Sequence, residues 1–248
     1  MNSPRQHSSR EFEAGLQTVK NAVLSMGGRV ERNLAQVMSA LVNRDTELAH
    51  RAIEFDRDVD RAEMEIDEMT LKILALRQPL GSDLRFLTTV LKIVTDLERV
   101  GDLCVNLAER VLELNQEPQL KPYISLPTMG AEASALLRKA LDAYVSGNVE
   151  EARAVLAAEQ RIDDMNVQIF RELLTYMIED PRTITRAMRL IFISKYLERV
   201  ADHATNIAEQ VIFMVEGSDV RHGAGYPHHE SRPDAADDPA SGGPGPNL

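Results

Sequence analysis

The thirteen residues "LERVGDLCVNLAE" at 97–109 return as "LERVADHATNIAE" at 197–209, with eight positions identical. Two near-copies one hundred residues apart mark an internal duplication, which confines the fold to two like halves that bury their apolar stripes alike. The identical letters are Leu, Glu, Arg, Val, Asp, Asn, Ala and Glu, and more than half are polar. Folding accounts for the apolar ones. The polar ones need a second reason.

The period of the apolar residues is helical. Ala52, Phe55, Val59, Ala62, Ile66, Met69, Ile73 and Leu76 alternate steps of three and four, the seam of left-handed helix packing. Val90, Ile93, Leu97, Val100, Cys104, Leu107, Val111 and Leu114 do the same, as do Leu190, Ile193, Leu197, Val200, Ala204, Ile207, Val211 and Met214. Pro79, Pro118, Pro122, Pro127 and Pro181 fall between such segments. Asn43, Asp45, Gly147 and Asn148 add breaks and caps. Helices are therefore predicted near 10–42, 46–76, 82–115, 128–146, 149–178 and 183–215. Gly27-Gly28 marks a kink or a close helix contact in the first. Short links make neighbours antiparallel, so the expected fold is all-α: two tandem, pseudo-symmetric three-helix bundles at 10–116 and 127–216. "NQEPQLKPYISLPTMG" at 115–130 is the boundary between them. The tail 217–248, rich in Gly and Pro, is expected to be disordered, with His222, His228 and His229 as part of a solvated segment.

Composition narrows the function. Aromatics make up 4% and Trp is absent, which favours helices over sheets. A net charge of −11 opposes nucleic-acid binding and suits a protein that gathers cations. No apolar run is long enough to cross a bilayer, and the N-terminal "MNSPRQHSSREFEAG" has no signal-peptide core, so a cytoplasmic location is expected. The single cysteine, Cys104, rules out an intramolecular disulfide framework and a thiolate metal cage.

At about 100° per residue, Glu98, Asp102, Asn106 and Glu109 share one face, and the apolar seam of that helix centres on the opposite side. Glu198, Asp202, Asn206 and Glu209 repeat the pattern. The preceding helix carries Asp56, Asp60, Glu63 and Asp67 within about 60° of one another, with Glu159 and Asp163 as counterparts in the second half. The rows are expected to face away from the core. Acids at i, i+4 repel by a few tenths of a kcal/mol, so a solvated face would be free to lose them. Four acid-x-x-x-Asp pairs at matched places in two repeats point instead to oxygen ligands for a hard cation such as Mg²⁺, Mn²⁺, Ca²⁺ or ferric iron. The predicted ligands are Asp56, Asp60, Glu98, Asp102 and Asn106 in the first half, with Glu159, Asp163, Glu198, Asp202 and Asn206 in the second. Zinc would draw on His203, but the first repeat has Leu103 there, which makes His203 incidental.

Enzymatic readings fare worse. A di-iron oxidase needs two Glu-x-x-His motifs facing a four-helix core, and the chain has one such string, "ELAH" at 47–50. Phosphate loops, G-x-S-x-G and His-Glu-x-x-His are missing, and Cys104 sits on an apolar seam. A metal-storage or metal-dependent enzyme remains the alternative to a binding protein.

The twice-used "LERV-D---N-AE", each copy preceded by an acid-x-x-x-Asp helix, resembles the PhoU family of phosphate-signalling regulators. "RQPLGSDLRFLTTVLKIVTDLERVGD" at 77–102 carries the resemblance best, and it extends over roughly 10–216. It implies a non-enzymatic cytoplasmic regulator, commonly a homodimer, that meets the membrane only through partners. Those partners would be a phosphate ABC transporter ATPase and a phosphate-sensing histidine kinase. It also implies divalent or ferric ions (Fe, Mn, Mg or Zn), multinuclear in some members, on the acid-x-x-x-Asp rows. Asn166 stands where the first half has Glu63, so a weaker second site is expected.

Overall fold

A computed structural model describes residues 4–218 and 220, with side chains from residue 10 onward. Within them lie six long helices: α1 (Pro4–Asn43), α2 (Thr46–Arg77), α3 (Ser82–Asn115), α4 (Ser125–Ser146), α5 (Val149–Glu179) and α6 (Ile184–Glu216). A 3-10 turn, Pro181–Thr183, leads into α6. Local chemistry sets the ends. Asp45 accepts from the Leu48 N–H at 2.9 Å to open α2, and Asn148 accepts from the Glu150 and Glu151 N–H groups to open α5. Gly147, at φ 64, ends α4 in the left-handed region that favours glycine. The fourth helix begins three residues earlier than predicted. Pro127 lies in its first turn, where a missing N–H leaves no intrahelical bond unmade.

α1, α2 and α3 pack on one another, as do α4, α5 and α6, while α3 against α6 and α1 against α4 join the halves. The result is one continuous apolar core rather than two. Gly27 is a close contact and not a kink: a Cβ there would lie 2.6 Å from Leu141 Cδ1 on α4. The three predicted seams are buried almost throughout. Phe55, Met69 and Ile73 on α2 and Met214 on α6 are partly buried, and Leu76 is exposed at the end of α2, where the chain leaves the bundle one residue before the helix ends. Among the described residues no helix is long and apolar enough to cross a membrane. Most of the predicted tail, including His222, His228 and His229, lies outside the described residues.

Candidate functional site

The eight predicted carboxylates gather into two clusters, one per half. Asp56 on α2, beside Asp60, faces Glu98 and Asp102 on α3 closely enough for their charges to raise its pKa, and Glu63 and Asp67 extend the row. In the second half Glu159 and Asp163 on α5 meet Glu198 and Asp202 on α6. The helix-wheel expectation needs correcting in one respect. The rows do not face away from the core but line the edge of the α2–α3 and α5–α6 contacts, with the Glu98 and Glu198 side chains only 18% and 15% exposed. The reason is that α3 and α6 are central. Their buried sector includes Val94, Gly101 and Ala108 as well as the seam, so it reaches the flank where the acids begin.

Close approach is built into the backbone. A Cβ on Gly101 would lie 2.9 Å from Asp56 Oδ1, so glycine lets the short Asp56 side chain lie against α3. The second half has Ala201 at that place and the longer Glu159 opposite. Charge compensation is partial. Arg99 reaches Glu98 at 3.4 Å and Asp102 at 3.2 Å, Lys195 pairs with Glu198, and the Thr205 hydroxyl approaches Glu159 at 3.5 Å. Burial, then Asp60, Asp102 and Glu98, push Asp56 up to about 6. Burial raises Glu63, Asp67, Glu98, Glu159, Asp163 and Asp202 as well, and like charges add to it in all of these but Asp67.

This all-oxygen donor set, short of positive charge, fits a hard cation. The site is not assembled around an ion, however: among the described residues no three His, Cys, Asp or Glu side chains stand where they could hold one together. Ligation would require the carboxylates to turn toward a common point in each groove.

Asn206 is placed elsewhere. Its amide donates to Asp96 Oδ1 at 3.2 Å, and with Glu209 it lines a groove between α3 and α6 beside Lys92 and Gln210. Asn106, its counterpart, is half-buried on α3. His203 has a definite partner: its Nδ1 lies 2.9 Å from the same Asp96 Oδ1. Asp96 was not foreseen, yet the repeats hold the signal. Positions 96 and 203 are Asp and His, while their mates 196 and 103 are Tyr and Leu, a polar pair exchanged for an apolar one.

The family model described as "PhoU domain" matches the chain twice, over residues 23–111 and 126–211. The chain belongs to the PhoU family. It is 39% identical over 217 residues to the phosphate-specific transport system accessory protein PhoU homolog of Pseudomonas aeruginosa, covering 87% of this chain and 90% of that one. The Escherichia coli phosphate-specific transport system accessory protein PhoU is 35% identical over 219 residues, 88% of this chain and 91% of that one. The crystal structure of PhoU from Pseudomonas aeruginosa superposes with a TM-score of 0.81 at 38% identity, covering 84% of this chain and all of that one. For the phosphate transport system regulatory protein PhoU from Streptococcus pneumoniae the TM-score is 0.78 at 26% identity, covering 84% and 99%. Each carboxylate cluster lies within one PhoU domain, between its second and third helices.

The first cluster makes a pH prediction. Unfolded, Asp56 ionises near 3.8; folded, near 6. Between those values the folded state holds a proton that the unfolded chain has released, so stability falls as pH rises from about 4 to about 6 and stays lower above. Asp56→Asn removes the penalty. After allowance for solvent screening, the variant should gain about 1 kcal/mol at pH 7.5 and nothing at pH 4, or about 2–4 °C in thermal midpoint. Melting at the two pH values checks it; an equal difference at both would refute the assignment.

Proposed function

We propose that this protein is a non-catalytic, cytoplasmic regulator of phosphate uptake and of the phosphate-starvation response. It acts as a homodimeric adaptor between a phosphate ABC transporter ATPase and a phosphate-sensing histidine kinase. Its two carboxylate clusters take up divalent or ferric ions, with Asp56, Asp60, Glu98 and Asp102 as ligands in one and Glu159, Asp163, Glu198 and Asp202 in the other. Support for the regulatory role comes from relatives at 35–40% identity along nearly their whole length, named as accessory proteins of phosphate-specific transport. The matched clusters carry the metal part: in both halves the same flank is crowded with carboxylates that burial and mutual repulsion hold above their ordinary range. A bound cation relieves that repulsion and ties α2 to α3 and α5 to α6, fixing the surface offered to partners. Against an enzymatic reading, the Cys104 thiol is fully buried and its pKa is pushed far up, which makes it a packing group.

Metal analysis and melting with and without chelator test the metal part. At one hundred times its dissociation constant an ion adds about 2.7 kcal/mol, so Mn²⁺ or ferric iron should raise the midpoint by about 5–10 °C. Asp102→Ala/Asp202→Ala should lose that rise. Unchanged melting and metal-free protein would end the metal claim, whereas turnover of ferrous iron or of phosphoesters would support the enzymatic alternative. Pull-down of the transporter ATPase and of the kinase tests the adaptor role separately.

A further inference from the structure

The two halves keep the same acid rows but differ in the residues that extend those rows along each helix. On α5 the row that begins with Glu159 and Asp163 continues, one turn at a time, to Val167, Phe170, Leu174 and Ile178. On α6, Ile184, Met188 and Phe192 precede Glu198 and Asp202 on the same face. All seven apolar side chains are exposed, Phe170 by 47%, Phe192 by 42% and Ile178 by 75%. α5 and α6 are joined only through Asp180 and the 3-10 turn and pack along their length. The two apolar runs therefore share the loop end of one face, and the acids occupy its other end. The matching positions of the first half read Met64, Asp67, Leu71 and Ala75 on α2, then Leu84, Thr88 and Lys92 on α3. Two charges and a hydroxyl interrupt the patch there. The duplication has diverged at this face, where Asp67 gives way to Phe170, while the four acid-x-x-x-Asp pairs keep an acid at every matched place.

We propose that a second copy of the chain covers the apolar end of the α5–α6 face, around a two-fold axis. The seven side chains expose roughly 700 Å² together, above the few hundred Å² that a monomer ordinarily leaves in one patch. That is close to the ~800 Å² which each partner gives to a standard interface. Isologous pairing suits the patch because it is apolar throughout, so either copy meets what it presents. Electrostatics favours it too. Leu174 and Glu159 are separated by about 22 Å of helix. An axis near Leu174 thus sends the two copies' acid rows in opposite directions, about 40 Å apart and far beyond the ~8 Å Debye length. The inference rests on the homodimeric part of the proposed function and on none of its metal chemistry.

Sedimentation of the full chain from about 1 to about 100 µM is the test, a range that spans micromolar dissociation constants. Wild type should run as a dimer and Phe170→Asp/Phe192→Asp as a monomer with unchanged helical circular dichroism. Leu71→Asp, the matched change in the first half, should stay dimeric. Under mild oxidation Leu174→Cys should form a disulfide-linked dimer, since Cys104 is buried. A double variant that remains dimeric, with no cross-link at Leu174→Cys, would place the interface elsewhere and overturn the inference while leaving the homodimer standing. A wild type that is monomeric throughout would overturn both and give the face to a different protein. Neither result touches the melting test for metal.

Discussion

Leu197→Ala is expected to cost about 3 kcal/mol and to lower the thermal midpoint by about 6–12 °C. Leu197 is fully buried on α6, the helix that packs against α3, α4 and α5 at once. Truncation removes its transfer free energy and leaves a cavity that three helices cannot all close. The shape of the transition is as informative as its midpoint. Buried residues form one cluster running from Val19 on α1 to Ile212 on α6, so the halves should melt together. Calorimetry should show one endotherm for wild type and for Leu197→Ala. Leu97→Ala, the matched change on α3, should fall by a similar amount, since Leu97 is equally buried. Two resolved endotherms, or a loss below about 2 °C, would mean that the PhoU domains are separate folding units with a soft contact between them.

Sequence periodicity located the helices because each is long and its seam is unbroken. The ends fall within a few residues of those expected wherever a cap or a glycine marks them, as at Asp45 and Gly147. α1 is an exception, being described from Pro4. Depth was harder to read. A wheel drawn for one seam treats everything opposite as solvent, yet α3 and α6 have neighbours on several sides. The carboxylates on their flanks are therefore half-covered, and so is Asp56 opposite them on α2, where burial first and then its acidic neighbours push it up to about 6. Contacts between halves were invisible to a reading that followed each repeat alone. Asp96, His203 and Asn206 meet only because α3 lies on α6. In the segment after α3 the prolines mark a boundary, and the arginines that hold it down come from the α1–α2 link and from α6, far away in the chain.

Those arginines lead to the second large effect, at Arg189. Its Nε donates to Glu113 at 2.9 Å, and another of its nitrogens pairs with Glu117. Arg186 donates to the Pro118 carbonyl at 3.0 Å, and Arg44, between α1 and α2, donates to the carbonyls of Leu114 and Glu117. The link between α3 and α4 is thus fastened at the end of α3 by both halves. In Arg189→Met the two glutamates keep Arg110 and Arg186 as neighbours but lose the fork that holds both at once. Glu113 and Glu117 are about one-third exposed, so water takes up part of the loss. The cost should be about 1–2 kcal/mol, between that of a surface pair and a buried one, or roughly 2–6 °C. Arg189→Lys should fall midway, because an ammonium on a flexible stem cannot present two fixed donors to two carboxylates. Proteolysis between residues 116 and 124 should quicken in Arg189→Met, and high salt should narrow its gap to wild type. A Met variant as stable as wild type would show that Arg44 and Arg186 suffice to hold the link. A Lys variant equal to wild type would show that charge alone, without the fork, is what this position requires.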